Sequence, residues 1–271
     1  MPTPFRTYSA DMPWAIVSLK NQLFALPSQD LREILQMPET AEVPGAPAYI
    51  RGVINLRGRV IPVMDLRKRL GLPSALEEIQ AFCGMMQQRE QDHRNWLNEL
   101  EASVRQRRPF GLTTDPHQCA FGKWYDSYHA GNVWVAALLR KFDKPHQQIH
   151  AIAGDVERLK DNQQYEQAQQ VIARTRDGLL AGMVKLFAEL RDLVRSEQRE
   201  TAMVLAQGNK LLGVTVDAAQ SIERLLDGSI EEISPLVPIA CDGVVRRHAR
   251  TAKANDVILL VETDRLMASA A

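Results

Sequence analysis

Four side chains in the middle of the sequence have the types and spacing of a metal site: His93, Cys119, His146 and His150. His146 and His150 stand four apart in Pro145-His146-Gln147-Gln148-Ile149-His150, so on a helix both rings face the same way. That spacing lets two imidazoles chelate one small cation. A single histidine on an apolar stripe is ordinarily a satisfied core residue. Three on facing stripes are different, because burying several imidazoles among apolar side chains costs desolvation unless something compensates. Cys119 opens Cys119-Ala120-Phe121-Gly122-Lys123-Trp124-Tyr125 and completes a tetrahedral His3Cys set, a chemistry that suits zinc. Binding requires the thiolate, so zinc would hold Cys119 deprotonated near neutral pH. A thiolate is also open to oxidation, which weakens its hold on a metal. The remaining histidines, His117, His129 and His248, sit among polar or turn residues and read as solvated, with His117 the first substitute ligand.

Four protein ligands leave no open position for water or substrate, which argues against a hydrolytic centre. No Glu accompanies the histidine pair as a His-Glu-x-x-His motif requires, and there is no Gly-rich phosphate loop and no Gly-x-Ser-x-Gly. The expectation is a protein without catalytic residues.

The elements that must position the four ligands are helices. Leu76, Ile79, Phe82, Met86, His93, Leu97, Leu100 and Val104 recur at three- and four-residue steps. So do Val135, Leu139, Phe142, His146, Ile149, Ala153 and Val156, and then Ile172, Leu179, Met183, Leu186, Leu190 and Leu193. Three long amphipathic stripes bury one another, predicting an antiparallel bundle between residues 75 and 199.

Around this insert the sequence turns to short β-branched runs. Ala15–Leu19 and Leu23–Leu26 flank Lys20-Asn21-Gln22, and Gly52–Leu56 and Arg59–Met64 flank Arg57-Gly58, both hairpin patterns. Pro62 suggests an edge strand or a bulge. Asp65 caps a short helix that Gly71 and Pro73 end. After the insert, Ala202–Ala206 and Leu211–Val216 flank Gly208-Asn209, and Gly243-Val244-Val245, Val257–Val261 and Asp264-Arg265-Leu266 echo the earlier plan. The reading is a weak internal repeat making two similar β lobes. The expected division is 1–74 and 200–271 for the β scaffold and 75–199 for the helical insert, an α+β protein.

Composition is consistent with a large core: 271 residues, 45% apolar, with 33 basic and 33 acidic side chains. A net charge of zero gives no reason to expect nucleic acid. Met1 to Pro13 lacks a signal-peptide pattern and the most apolar helical stretch, Gly178 to Leu190, carries Lys185 and Glu189, so neither secretion nor membrane insertion is expected. Three cysteines, Cys83, Cys119 and Cys241, are too few and odd for a disulfide framework, which fits a reducing cytoplasm.

The run Val43-Pro44-Gly45-Ala46-Pro47-Ala48-Tyr49-Ile50-Arg51-Gly52-Val53-Ile54-Asn55-Leu56-Arg57-Gly58-Arg59-Val60-Ile61-Pro62-Val63-Met64-Asp65-Leu66 resembles the CheW family of chemotaxis coupling proteins. The resemblance covers residues 14–73 and 201–266. It implies two SH3-like five-stranded β barrels, no enzymatic activity, and binding to chemoreceptor tips and the histidine kinase CheA, with Leu31, Glu33 and Arg57 at the matching partner-binding positions. The insert resembles the CZB (chemoreceptor zinc-binding) domain through His93 with Trp96, Cys119 with Gly122-Lys123-Trp124, and His146 with His150. That implies a zinc-bound four-helix bundle, often homodimeric, that senses zinc or an oxidant such as hypochlorous acid. A purely structural zinc in a CheW-like scaffold is the alternative. An insertion inside a CheW fold is unusual. The basic stretch Arg246 to Asp256 is longer than a tight family turn, and reads as a solvated loop or else a docking surface for an acidic partner.

Overall fold

The structure, a computed structural model, describes residues 11–197, 200–226, 228–233, 243–250 and 257–270. Cys241 and residues 251–256 of the basic stretch lie outside the described residues, as does most of the Met1 to Pro13 segment.

The first strands are β1 (Pro13–Leu19), β2 (Gln22–Pro27), β3 (Leu31–Gln36), β4 (Ile50–Leu56) and β5 (Arg59–Asp65), followed by α1 (Leu66–Arg69). Helices come next: α2 (Ala75–Arg105), α3 (Ala120–Ser127), α4 (Val133–Leu139), α5 (Asp143–Asp161), α6 (Tyr165–Thr175) and α7 (Ala181–Ser196). The chain closes with β6 (Thr201–Gln207), β7 (Lys210–Val216), β8 (Ala218–Arg224), β9 (Glu231–Glu232), β10 (Val245–Ala249), β11 (Ile258–Val261) and α8 (Thr263–Ser269). The described residues fall into two compact units, one within 1–77 and 199–271, the other within 78–198.

The β unit holds a six-stranded sheet, β8-β1-β2-β11-β10-β9, and a five-stranded sheet, β3-β6-β7-β5-β4. The internal repeat is present, but its halves exchange strands. The hairpin β1–β2 takes β11 in parallel, and the later hairpin β6–β7 takes β5 in parallel. Likewise β3 pairs with β6, and β8 pairs with β1. Neither lobe is therefore one contiguous stretch of sequence, in contrast to the simple picture of one lobe before the insert and one after it. Alternation along β1 shows why. Trp14 and Ile16 face a small core inside the six-stranded sheet, while Ala15, Val17 and Leu19 face a larger core shared with Met203, Leu205 and Val214 of the other sheet. A strand buried on both faces reads as a continuous apolar run and must be covered from both sides.

Turn chemistry sets the registers. Arg57 and Gly58 both have positive φ, 51° and 84°, the geometry of a two-residue type I′ hairpin, and the Gly58 N–H donates to Asn55 Oδ1 at 2.9 Å. Gly52 has φ 143°, and a Cβ there would stand 2.3 Å from the Ala41 carbonyl oxygen. Only glycine lets residue 41 bridge to Val53. The edge assignment suggested by Pro62 does not hold, since β5 lies between β7 and β4. Pro62 is tolerated there because it faces Val53, whose N–H and C=O bond to Ala41 instead. Pairing with β7 starts only at Val63, so no ladder asks Pro62 for an N–H. The Asp65 cap is as expected, its side chain accepting from the Lys68 N–H at 3.0 Å.

The helical unit has three long passes: α2, α4 continuing through a 3₁₀ turn into α5, and α6 continuing through a π turn (Arg176–Leu180) into α7. The eight-residue α3 is the fourth member. A reciprocal capping box starts α2. The Ser74 hydroxyl accepts from the Glu77 N–H at 3.0 Å, and the Glu77 carboxylate from the Ser74 N–H at 2.8 Å. The stripe from Val135 to Val156 is buried at every position named above. The last stripe is shifted. From Ile172 to Leu190 the buried positions are Ile172, Thr175, Leu180, Met183, Phe187 and Leu190. The five-residue step from Thr175 to Leu180 at the π turn puts Leu180 in the core line in place of Leu179. Beyond it, Phe187 rather than Leu186 takes the inner place between Met183 and Leu190, with Leu179 and Leu186 partly buried against the core.

Candidate metal centre

The four residues singled out by type and spacing converge in the helical unit. One donor atom from each of His93, Cys119, His146 and His150 lies within 4.8 Å of the others. Three local devices supply them. His93 projects from the middle of α2 beside Trp96 and Leu97. His146 and His150 project one turn apart from α5, with ring centroids 4.9 Å apart. Cys119 is the N-cap of α3, and its sulfur accepts from the Gly122 N–H at 3.2 Å. The loop ahead of it runs directly across Gly122, where a Cβ would stand 1.9 Å from the Pro116 carbonyl oxygen. The spacing Cys119-x-x-Gly122 is thus a steric requirement for placing the sulfur.

The three imidazoles are sealed, at 3%, 4% and 1% exposure for His93, His146 and His150, while Cys119 is half-buried. Phe121, Phe142 and Phe187 pack around the rings, with Phe121 5.0 Å from His146 and 5.8 Å from His93. Sequence reasoning missed Phe187 because Leu186 and Phe187 stand three and four residues after Met183, both ordinary helical steps. Nδ1 of His93 donates to the Arg89 carbonyl at 2.7 Å, which we take as its protonated nitrogen and which leaves the Nε2 lone pair facing the cluster. Nε2 of His93 and both nitrogens of His150 are buried without a hydrogen-bond partner. The Thr113 carbonyl, which accepts from Trp96 Nε1 at 2.8 Å, is close enough to favour protonation of His150. It does not make a hydrogen bond to that ring.

These orphaned atoms test whether a metal fits. Each buried polar atom left unpaired costs about 1–3 kcal/mol, and protonation offers no relief here. Burial, then repulsion from the His93 and His150 rings, pushes His146 down to about 3. Burial, then His93, pushes His150 down to about 4. Burial also lowers His93, and it raises the Cys119 thiol against the pull of the Gly122 N–H. Neutral imidazoles with inward lone pairs, beside a sulfur 3.2 Å from His146 Nε2, suit a divalent cation. Tetrahedral zinc, with bonds of about 2.0–2.3 Å, sets its ligand atoms about 3.3–3.8 Å apart, so the cluster has to draw in slightly to hold one.

The other predicted positions fall elsewhere. His117 is exposed, with Nδ1 2.9 Å from Asp126, and His129 bonds the Ser127 carbonyl; neither joins the cluster. His248 is not a solvated turn residue but part of β10, half-buried, with Nδ1 buried and unpartnered. Cys83 is a buried thiol of α2, 3.9 Å from the Arg191 carbonyl. In the β unit, Leu31 packs partly into the shared core. Arg57, with its side chain 81% exposed at the hairpin tip, pairs with Glu33 at 2.8 Å.

Comparison with known proteins now bears on this geometry. Residues 14–91 match the model of a CheW-like domain, and residues 93–156 match that of a chemoreceptor zinc-binding domain. The chain combines a CheW-like domain with a CZB domain. The chemotaxis protein CheW of Bacillus subtilis is 50% identical over 50 residues, 18% of this chain and 32% of that protein. CheW of Treponema pallidum is 35% identical over 67 residues, 24% of this chain and 39% of that protein. The protein PilI of Pseudomonas aeruginosa is 38% identical over 75 residues, 24% of this chain and 42% of that protein. The chain thus spans well under half the length of these curated relatives. A solved scaffolding protein CheW from Thermoanaerobacter tengcongensis is 15% identical, with a TM-score of 0.43, covering 94% of this chain and 86% of that one. The CZB match contains all four candidate ligands, and no described helix is long and apolar enough to cross a membrane.

Proposed function

We propose that this CheW-like chemotaxis protein is a cytoplasmic coupling adaptor whose helical insert, residues 75–199, holds one zinc ion through His93, Cys119, His146 and His150. Its β scaffold joins chemoreceptor tips to the histidine kinase CheA, with Leu31, Glu33 and Arg57 on the partner-binding face. The insert adjusts that coupling when zinc or an oxidant such as hypochlorous acid acts on the metal site. It has no catalytic residues, and two copies associate through their helical units. The observation that carries this reading is the convergence of three buried imidazoles and one half-buried sulfur, with one donor atom of each within 4.8 Å of the others. Zinc, when bound, would supply the positive charge that satisfies the inward lone pairs and keeps the sulfur a thiolate. His93 is held for this role by the Arg89 carbonyl, and Cys119 by its place at the start of α3. Of the four, only Cys119 is open enough for a reagent to reach.

The test is binding of a chemoreceptor tip fragment and of CheA, measured with the zinc-loaded protein, after chelation, and after hypochlorous acid treatment, with zinc content and circular dichroism followed in parallel. The expected result is altered binding on metal loss or on oxidation of Cys119 while the β unit stays folded. Unchanged binding in a folded protein that has lost its zinc would assign the metal a structural role.

A further inference from the structure

A pocket of about 520 Å³ opens beside the metal cluster, and three of the four donors, His93, Cys119 and His150, line it. Its walls are mainly apolar, from Trp96, Leu112 and Phe121, with Asn95, Thr113 and Gln118 as uncharged polar members. Its charged lining residues, Arg89 and Asp92, pair with each other at 2.8 Å, so neither offers a free charge to a visitor. Leu112 is 46% exposed, which places it at the mouth, on the loop that leads to Cys119. The imidazoles are sealed and Cys119 is not, so a molecule entering here meets the sulfur first.

We infer that this pocket is a selective entry site through which small uncharged electrophiles and oxidants reach Cys119 Sγ, with Leu112 as its gate. The inference rests on the proposed zinc reading for its purpose, but the access route is a property of the fold with or without metal. An anion entering must shed water against the Trp96, Leu112 and Phe121 side chains and finds Arg89 already neutralised, which disfavours it against a neutral molecule of the same size. A reagent that suits the route reacts by simple displacement. The Cys119 thiolate attacks a carbon bearing a leaving group, an S–C bond forms, the carbon–iodine bond breaks, and iodide departs.

The probes are iodoacetamide, which is neutral, and iodoacetate, which is anionic and nearly the same size. Modification of Cys119 is followed by peptide mapping in the full-length protein, zinc-loaded and metal-free, with each rate divided by that of free cysteine. Iodoacetamide should be favoured by about tenfold or more, the scale set by the cost of desolvating a charge in an apolar site. Leu112→Trp should slow modification severalfold and Leu112→Ala should speed it, with zinc content unchanged in both. Equal normalised rates for the two reagents would overturn the charge selectivity. Rates indifferent to both Leu112 variants would overturn the route. Zinc content of the same samples separates this from the metal reading, because a wild type without zinc refutes the metal site, while the metal-free rates still decide the pocket.

Discussion

Cys119 Sγ and His146 Nε2 lie 3.2 Å apart although 27 residues separate them along the chain. One belongs to the start of α3 and the other to the first turn of α5. Their meeting makes the cluster a site rather than two separate curiosities, and it makes the sulfur the first ligand to test.

Cys119→Ser replaces a thiolate by a hydroxyl that stays protonated near neutral pH. Changes in outer-shell partners alone cost about 10–100-fold in metal affinity, so loss of this ligand should cost more. Zinc content by mass spectrometry and competition with a chromogenic chelator measure it. Wild-type affinity in the serine variant would remove Cys119 from the ligand set.

Gly122→Ala asks a different question, because residue 122 donates only its backbone. An added Cβ would collide with the Pro116 carbonyl at 1.9 Å, so the loop must lift and carry Cys119 with it. We expect weaker zinc binding, of the order of tenfold or more, with most helix retained by circular dichroism. Normal affinity in this variant would mean the loop relaxes without moving the sulfur.

The metal-free protein should be sensitive to acid. Unfolded imidazoles titrate near about 6.5, whereas folded His146 and His150 are held down to about 3 and about 4. Below the unfolded value the unfolded chain binds more protons than the folded one. The contribution of these rings is therefore fully present above about pH 6.5 and is lost as pH falls toward the folded values. Melts of chelator-treated protein should show the midpoint of the helical unit dropping by several degrees between about pH 7 and about pH 5. A flat profile over that range would contradict buried neutral rings.

Phe187→Ala should destabilise the bundle by about 3–5 kcal/mol, the usual cost of emptying a buried aromatic site. Phe187 is fully buried and touches the rings of His93, Phe121 and Phe142. Chemical denaturation of the zinc-loaded protein reads the loss, and a change below about 1 kcal/mol would show that Phe187 is not packed where the structure puts it.

Arg57→Glu separates stability from recognition. The Arg57–Glu33 pair stands at an exposed hairpin tip, and exposed pairs are worth about 0–1 kcal/mol. Reversing the charge should leave the melting temperature nearly unchanged yet weaken binding to the chemoreceptor tip or CheA in a direct titration. Full-strength binding to both would take Arg57 off the proposed partner surface.

Much of the helical unit was legible in the sequence because each candidate donor stands in a local pattern. The pair His146 and His150 carried helical spacing, and the apolar series of α2 and α4–α5 placed His93 and His146 on inward lines. The misplaced stripe of α6–α7 has a definite cause. A π turn inserts a five-residue step that no three-and-four count contains, so the inner place beside it belongs to Leu180 and not to Leu179, while Leu186 and Phe187 are both helical steps from Met183 and only the packing puts the phenyl ring inside. His248 misled for the opposite reason: polar neighbours suggested a turn, and only pairing with β11 and β9 makes it part of a strand.

By itself the sequence determined the local things: the hairpin turns at Arg57-Gly58 and Gly208-Asn209, the Asp65 cap, and the four donors with their residue types. These depend on the positive φ of a turn, the reach of a capping carboxylate, or the pitch of a helix, all set within a few residues. The tertiary structure alone decided which hairpin pairs with which strand, that β5 lies inside its sheet despite Pro62, and that Cys119 meets His146. Those outcomes depend on burying two faces of the same strand and on closing long loops, and such free energies belong to the assembled core, where no short window of sequence can express them.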